Sequence, residues 1–326
     1  MKKVFFCFIL VLFSSGFLSA QQKLQIEASL MPGIANSFTQ EILYENWDTD
    51  AETLSLLEWQ NFLSPCIFAD ANCIFNQHFF LNLNGLYALP FSTGVIQDND
   101  WCNLISTGTK EQTHFSEHKN KTEFYYYISS AIGAAYPLSK SITLKVFFPV
   151  KYYFFSFTST DGYKQYGTKI DEANGNDVFT PWSASIEKMP LEGKIITYQN
   201  QDLFFGLGTQ VDFNINSRLD LSALIQFQPA LKSRGLDIHH RAKERYPYTF
   251  FDFSSKLAFT SSFLLKYKIL NSGRLCARIE YCFIDTDKSK MYQSRTKSTW
   301  VQTANPGAQT QHNLSILLGY TYWYEK

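Results

Sequence analysis

Beyond its first twenty residues the sequence has no stretch approaching the ~18 consecutive apolar residues that a membrane helix requires, which excludes a helical span. It also lacks a surplus of either charge. Setting Lys2 and Lys3 aside with the leader leaves 27 of the 29 basic residues against 29 acidic ones, which argues against a nucleic-acid partner. Cysteine is sparse. Of six, Cys7 falls in the leader, and Cys66, Cys73, Cys102, Cys276 and Cys282 form an odd set that cannot close into a complete disulfide framework. Cys66 and Cys73 flank an expected turn at Asp70-Ala71-Asn72 and could pair across it, whereas Cys276 and Cys282 are too far apart along one strand face to do so.

What is present points outward from the cell. Lys2 and Lys3, an apolar run over residues 4–13 and the small-residue site Leu18-Ser19-Ala20 read as a signal peptide over residues 1–20, leaving 21–326 as one exported domain. Gln21-Gln22 follow where a lipoprotein would carry cysteine, so no lipid anchor is expected. Aromatic residues make up 17% of the chain, yet its mean hydropathy is −0.18. That combination suits a membrane β-barrel, whose lipid-facing residues alternate with polar ones and dilute the average.

Period-two alternation recurs along the chain. Leu203, Phe205, Leu207, Thr209, Val211 and Phe213 occupy one side of a segment whose other side holds Phe204, Gly206, Gly208, Gln210, Asp212 and Asn214. Such runs predict ten strands, over 24–40, 54–69, 74–90, 122–137, 142–160, 197–215, 218–233, 249–270, 274–286 and 311–324. Short turns join them on one rim, at Asp70-Ala71-Asn72, at 138–141, at Asn216-Ser217 and at 271–273. Loops over 41–52, 91–121, 161–196, 234–248 and 286–310 join them on the other. The expected fold is all-β: a ten-stranded antiparallel transmembrane β-barrel with long extracellular loops that stands proud of the membrane. Inward-facing polar residues would include Asn76, His78, Asn82 and Asn84.

Two groups on the long-loop rim carry chemistry. Asp98 and Asp100, two apart on extended backbone, share a face closely enough for their charges to repel and raise a pKa. Asp237 and His239 are likewise two apart, so the carboxylate can orient the imidazole as a general base. Taken singly, the first could equally be a calcium ligand or an Asx turn, and the second a solvated loop. His240 points away from the face of His239.

Here the sequence resembles the omptin family of outer-membrane proteases. The resemblance rests on Asp98-Asn99-Asp100-Trp101, on Asp237-Ile238-His239 and on Ser116-Glu117-His118. Further support comes from the aromatic segment 153–158, from Leu57-Glu58-Trp59 and from Gln40-Glu41, all in the family's order along nearly all of the mature chain. It implies a monomeric endopeptidase of the outer membrane that faces outward and cuts protein or peptide substrates without a metal or other cofactor. Asp237 would orient His239, which would deprotonate a water held against Asp98, with Asp100 completing the acidic pair; Ser116 would be a loop hydroxyl rather than a nucleophile. Glu41 would bind a basic substrate residue. Its acidic partner in the family is here Gly235, and a second acidic position is His114, where Glu111 could stand in, so a preference for basic residues should be weakened. The family's activity depends on lipopolysaccharide, but the corresponding stretch Val150-Lys151-Tyr152-Tyr153-Phe154 lacks the pattern that holds it. The chain also ends in Glu325-Lys326 rather than in an aromatic residue. An adhesin built on the same barrel is the main alternative, and a channel the lesser one.

Overall fold

The computed structural model describes residues 24–76, 78–102, 111–173, 176–241, 247–253 and 255–325. The signal peptide expected at 1–20 lies outside them. In chain order the strands are β1 (Leu24–Tyr44), β2 (Thr53–Phe75), β3 (Phe79–Ala88), β4 (Phe91–Cys102), β5 (Glu111–Pro137), β6 (Ile142–Tyr166), β7 (Lys169–Ala173), β8 (Asn176–Phe179) and β9 (Met189–Phe205). They continue with β10 (Leu207–Asn214), β11 (Leu219–His239), β12 (Tyr248–Asp252), β13 (Lys256–Leu270), β14 (Gly273–Thr286), β15 (Lys290–Ser294), β16 (Val301–Gln302) and β17 (Gly307–Glu325).

All pairings are antiparallel, and β1 pairs with both β2 and β17, so the sheet closes on itself. Several strands are halves of a single stave. β3 and β4 both lie between β2 and β5, interrupted where Pro90 can donate no ladder hydrogen bond. β9 and β10 both lie between β6 and β11. β12 and β13 share the next stave, and β14 and β15 the one after. The result is a ring of about ten staves, as the alternation predicts. Closure gives each stave of the ring a neighbour on both sides, a condition for crossing lipid, while β7 and β8 form a separate two-stranded sheet and β16, among the described residues, pairs only with β15.

The outer surface carries a belt of exposed apolar side chains, among them Leu30, Leu83, Ile128, Phe148, Phe227 and Leu318. The inside at the same level is polar and holds a 520 Å³ cavity. Apolar outside and charged inside is the pattern of a chain solvated by lipid. Four ion pairs line this lower lumen: Lys145 with Asp212 at 2.9 Å, Arg274 with Asp220 at 2.6 Å, Lys266 with Glu27, and Arg278 with Glu280, which also accepts from Tyr127 Oη at 2.7 Å.

Midway up, fully buried rings fill the barrel. Trp59 stacks on Tyr198 at 5.9 Å, Phe155 on Phe157 at 4.6 Å, and Phe155 meets Tyr198 at 5.6 Å. Beside them Lys256 pairs with Asp202 at 3.0 Å with no exposure of either side chain; Ser233 and Asn200 also donate to that carboxylate. This septum separates the lower lumen from a second cavity of 860 Å³ at the upper mouth.

Three expectations need correction. Asn76 and His78 are the turn residues between β2 and β3, whereas Asp70, Ala71 and Asn72 are strand residues paired with Asn84, Leu83 and Asn82. His78 is therefore an exposed turn residue rather than a lumenal one. Cys66 and Cys73 consequently lie on one strand, both free thiols, and about 23 Å of extended chain keeps them apart. Finally, most of the residues assigned to long loops continue the sheet: β5 runs for 27 residues and β6 for 25, well beyond the ~9–11 that span a bilayer.

Candidate active site

Because those strands extend upward, the two chemical groups sit on sheet rather than on loops. Asp98 and Asp100 lie on β4, Asp98 opposite Leu57 of β2 and Ser116 of β5, Asp100 opposite Ser55 and His114. Asp237 and His239 end β11, where Asp237 faces Tyr198 of β9 and Thr249 of β12. Period two turns all four inward, and all four line the 860 Å³ mouth cavity together with Glu41 of β1. Anchoring on paired strands fixes such groups more tightly than a loop could.

Asp237 is buried, and its Oδ2 accepts from His239 Nε2 at 2.5 Å. That leaves Nδ1 of the ring uncommitted. Burial works against charge on the imidazole, but Asp237, helped by Asp98 and Asp100, outweighs it and lifts His239 to about 9. The ring keeps access to water, with 37% of its side chain exposed. On the acidic side, burial raises Asp98, reinforced by Asp100 and opposed by His239. Burial likewise raises Asp100, with Ser55 and His114 pulling back. Glu41 is raised well above its ordinary range by burial, then by repulsion from Asp237 and Asp98. One oxygen each of Glu41, Asp98 and Asp237 is buried without a hydrogen-bond partner. Such groups are costly unless something occupies the space between them.

Ser116 and His118 also face the cavity, on β5, with His118 Nε2 2.9 Å from Ser116 Oγ and both side chains buried. They are strand residues, not a solvated loop. Burial holds His118 below its usual pKa, so this pair is neutral at pH 7. Glu111, by contrast, opens β5 as an exposed rim residue and does not line the cavity. His240 is half-buried, bonded to Thr197 Oγ1 at 2.9 Å.

The absence of a side chain at Gly235 has a steric cause. A Cβ there would lie 2.9 Å from a Phe253 ring carbon and 3.1 Å from Tyr198 Oη, so the aromatic septum already fills the space. His114 is likewise enclosed, between Tyr166 and Phe179 with ring centroids at 4.3 and 4.6 Å. Residues not singled out from sequence also line the cavity: Lys164 and Tyr166 of β6, Arg241, Gln293 and Arg295. Lys164, Tyr166 and Gln293 turn inward by the same strand alternation, whereas Arg241 and Arg295 lie just past the ends of β11 and β15. Among the described residues no cluster of three His, Cys, Asp or Glu side chains is arranged to hold a metal ion.

An all-antiparallel barrel of the outer-membrane type, with carboxylates and an imidazole gathered in one mouth, defines the class. The Omptin family model matches residues 20–324, and the chain belongs to that family. Among curated protein sequences there is no match. The outer membrane protease OmpT from Escherichia coli superposes with a TM-score of 0.78 at 15% identity, covering 92% of this chain and 97% of that one, a likeness of fold. The outer membrane protein OprG from Pseudomonas aeruginosa gives a TM-score of 0.39 at 8% identity over 93% and 95% of the two chains, too low to carry an argument.

Proposed function

We propose that the mouth cavity hydrolyses peptide bonds of proteins or peptides at the cell surface, using a water activated by His239. The observation that carries this reading is the Asp237–His239 contact at 2.5 Å in the same cavity as the unpartnered carboxylate oxygens of Asp98 and Glu41. A water between His239 and Asp98 gives its proton to the free ring nitrogen, and its oxygen attacks the scissile carbonyl carbon. Asp237 stabilises the imidazolium that forms. The same proton then passes to the leaving nitrogen as the C–N bond breaks, and no covalent enzyme intermediate arises. Asp100 keeps the Asp98 carboxyl from carrying a full isolated charge, since two buried acids this close share their protons. Glu41 offers a buried acceptor to a Lys or Arg side chain of the substrate.

Orientation follows from the rims. Tight turns and both ends of the described chain lie on the lower rim, and in outer-membrane barrels short turns face the periplasm. The cavity then opens to the medium, and the apolar belt meets membrane lipid. The stretch Val150-Lys151-Tyr152-Tyr153-Phe154 lacks the family's lipid-holding pattern, so dependence on lipopolysaccharide is a matter for assay.

The test is to incubate the protein, refolded in detergent with and without lipopolysaccharide, with a peptide library, using His239→Ala as the control. Cleavage by the wild type alone is expected. Equal product patterns from both proteins would end the hydrolytic reading.

A further inference from the structure

The barrel register places three charged residues on one row of the sheet. Glu41 of β1 lies opposite Leu57 of β2, Leu57 opposite Asp98 of β4, Asp98 opposite Ser116 of β5, and Ser116 opposite Lys164 of β6. Directly opposed residues of an antiparallel sheet point to the same side, and all five line the mouth cavity. Glu41, Asp98 and Lys164 thus recur on every second stave, about 10 Å apart at ~4.8 Å per strand spacing. An extended peptide crossing the staves along this row covers each interval in about three residues.

The row is acidic at one end and basic at the other. Glu41 is 5% exposed, with one oxygen unpartnered. Lys164 is half-buried; its ammonium lies 4.9 Å from the centre of the Tyr166 ring, and among the described residues it has no carboxylate partner. Across the mouth Arg241 and Arg295 add two more cations to the wall. The acids of this cavity therefore lie deep and the cations lie toward its rim, a division that a cavity for purely basic substrates would not need.

We propose that Lys164 is a specificity-determining residue that binds an Asp or Glu side chain of the substrate. That acidic residue would lie two or three positions from the scissile bond, on the side opposite the basic residue taken by Glu41. The substrate class is then a peptide of split charge, basic before the Asp98–His239 position along the row and acidic after it. This rests on the hydrolytic reading for its place relative to the bond, but the charge order itself is a matter of binding.

The experiment uses three fluorescent peptides that differ only at the seventh position, Lys-Ala-Ala-Ala-Ala-Ala followed by Glu, Ala or Lys, because two intervals of about three residues each separate Glu41 from Lys164. Dissociation constants are read by anisotropy on full-length His239→Ala protein in detergent, alone and combined with Lys164→Glu or Lys164→Met. Steady-state cleavage is read on the corresponding proteins that retain His239. In the Lys164 background Kd should be lowest for the Glu peptide and highest for the Lys peptide, by about fivefold per step, as for a half-buried charge pair. Lys164→Glu should reverse the order, and Lys164→Met should flatten it. Retention of the barrel in each variant is checked by its compact electrophoretic form before boiling. Equal Kd values for the three peptides, or an order that Lys164→Glu leaves unchanged, would overturn the proposal. The expected binding order without cleavage by any protein that retains His239 would sustain the charge order and remove the hydrolytic reading instead.

Discussion

The two cavities of this barrel treat charge in opposite ways. Below the septum Glu27, Asp212, Asp220 and Glu280 each have a cation in contact, as in Lys145–Asp212 and Arg274–Asp220. Above it Glu41, Asp98 and Asp237 each leave an oxygen unpartnered, and the acids raise one another's affinity for protons. Paired charges hold a polar lumen together; unmatched ones are poised for a ligand and for proton transfer. The contrast separates scaffold from chemistry without reference to any relative.

The strongest way to break this contrast is to remove the upper base. His239→Ala should lower kcat for peptide cleavage by about 10²–10⁴-fold with the barrel intact, measured with a fluorogenic peptide. Next comes the septum. Lys256→Met leaves Asp202 buried without its cation and should cost about 3–5 kcal/mol of stability in urea unfolding. The cavity above should keep its peptide-binding order.

Proton affinity sharpens the comparison further. His239 is lifted to about 9, so its basic form grows as pH rises from 7 toward 9, and kcat/KM should climb over that window. The sign for stability is opposite. A raised histidine contributes fully below its unfolded value of about 6.5, and that contribution is lost as pH passes 9. Asp237→Asn removes the main cause of the elevation and should move the rise in kcat/KM to lower pH, which nitrogen NMR of the imidazole can follow directly. Glu41→Gln should raise KM for Lys-containing peptides by about tenfold, the size of a charge-assisted hydrogen bond. Smallest of all, Arg274→Ala breaks a partly exposed pair and should cost about 0–1 kcal/mol.

Most of the barrel could be read from alternation, because lipid outside and water inside impose opposite demands on successive residues. The same rule misplaced the turn at Asp70-Ala71-Asn72. In a polar lumen, turn-forming residues are also good interior residues: Asp70 accepts from Asn82 at 2.7 Å across the pair of strands. The upper strands were read as loops because above the membrane the outer face no longer needs apolar residues, and alternation fades there although the hydrogen bonding continues. Asp98, Asp100, Asp237 and His239 could be recognised by their spacing, and Glu41 by its neighbours. Lys164 could not, since its significance lies in a register of five staves that no local pattern encodes.

The septum sets a limit on what this molecule exchanges with the cell that carries it. Trp59, Phe155, Phe157 and Tyr198 make the barrel a cup rather than a tube. On the proposed reading, fragments released at its lip go back to the surrounding medium. On the same reading, such a protein could crowd a surface at high copy without leaking the compartment beneath, and what the cell gains from it would be gained outside.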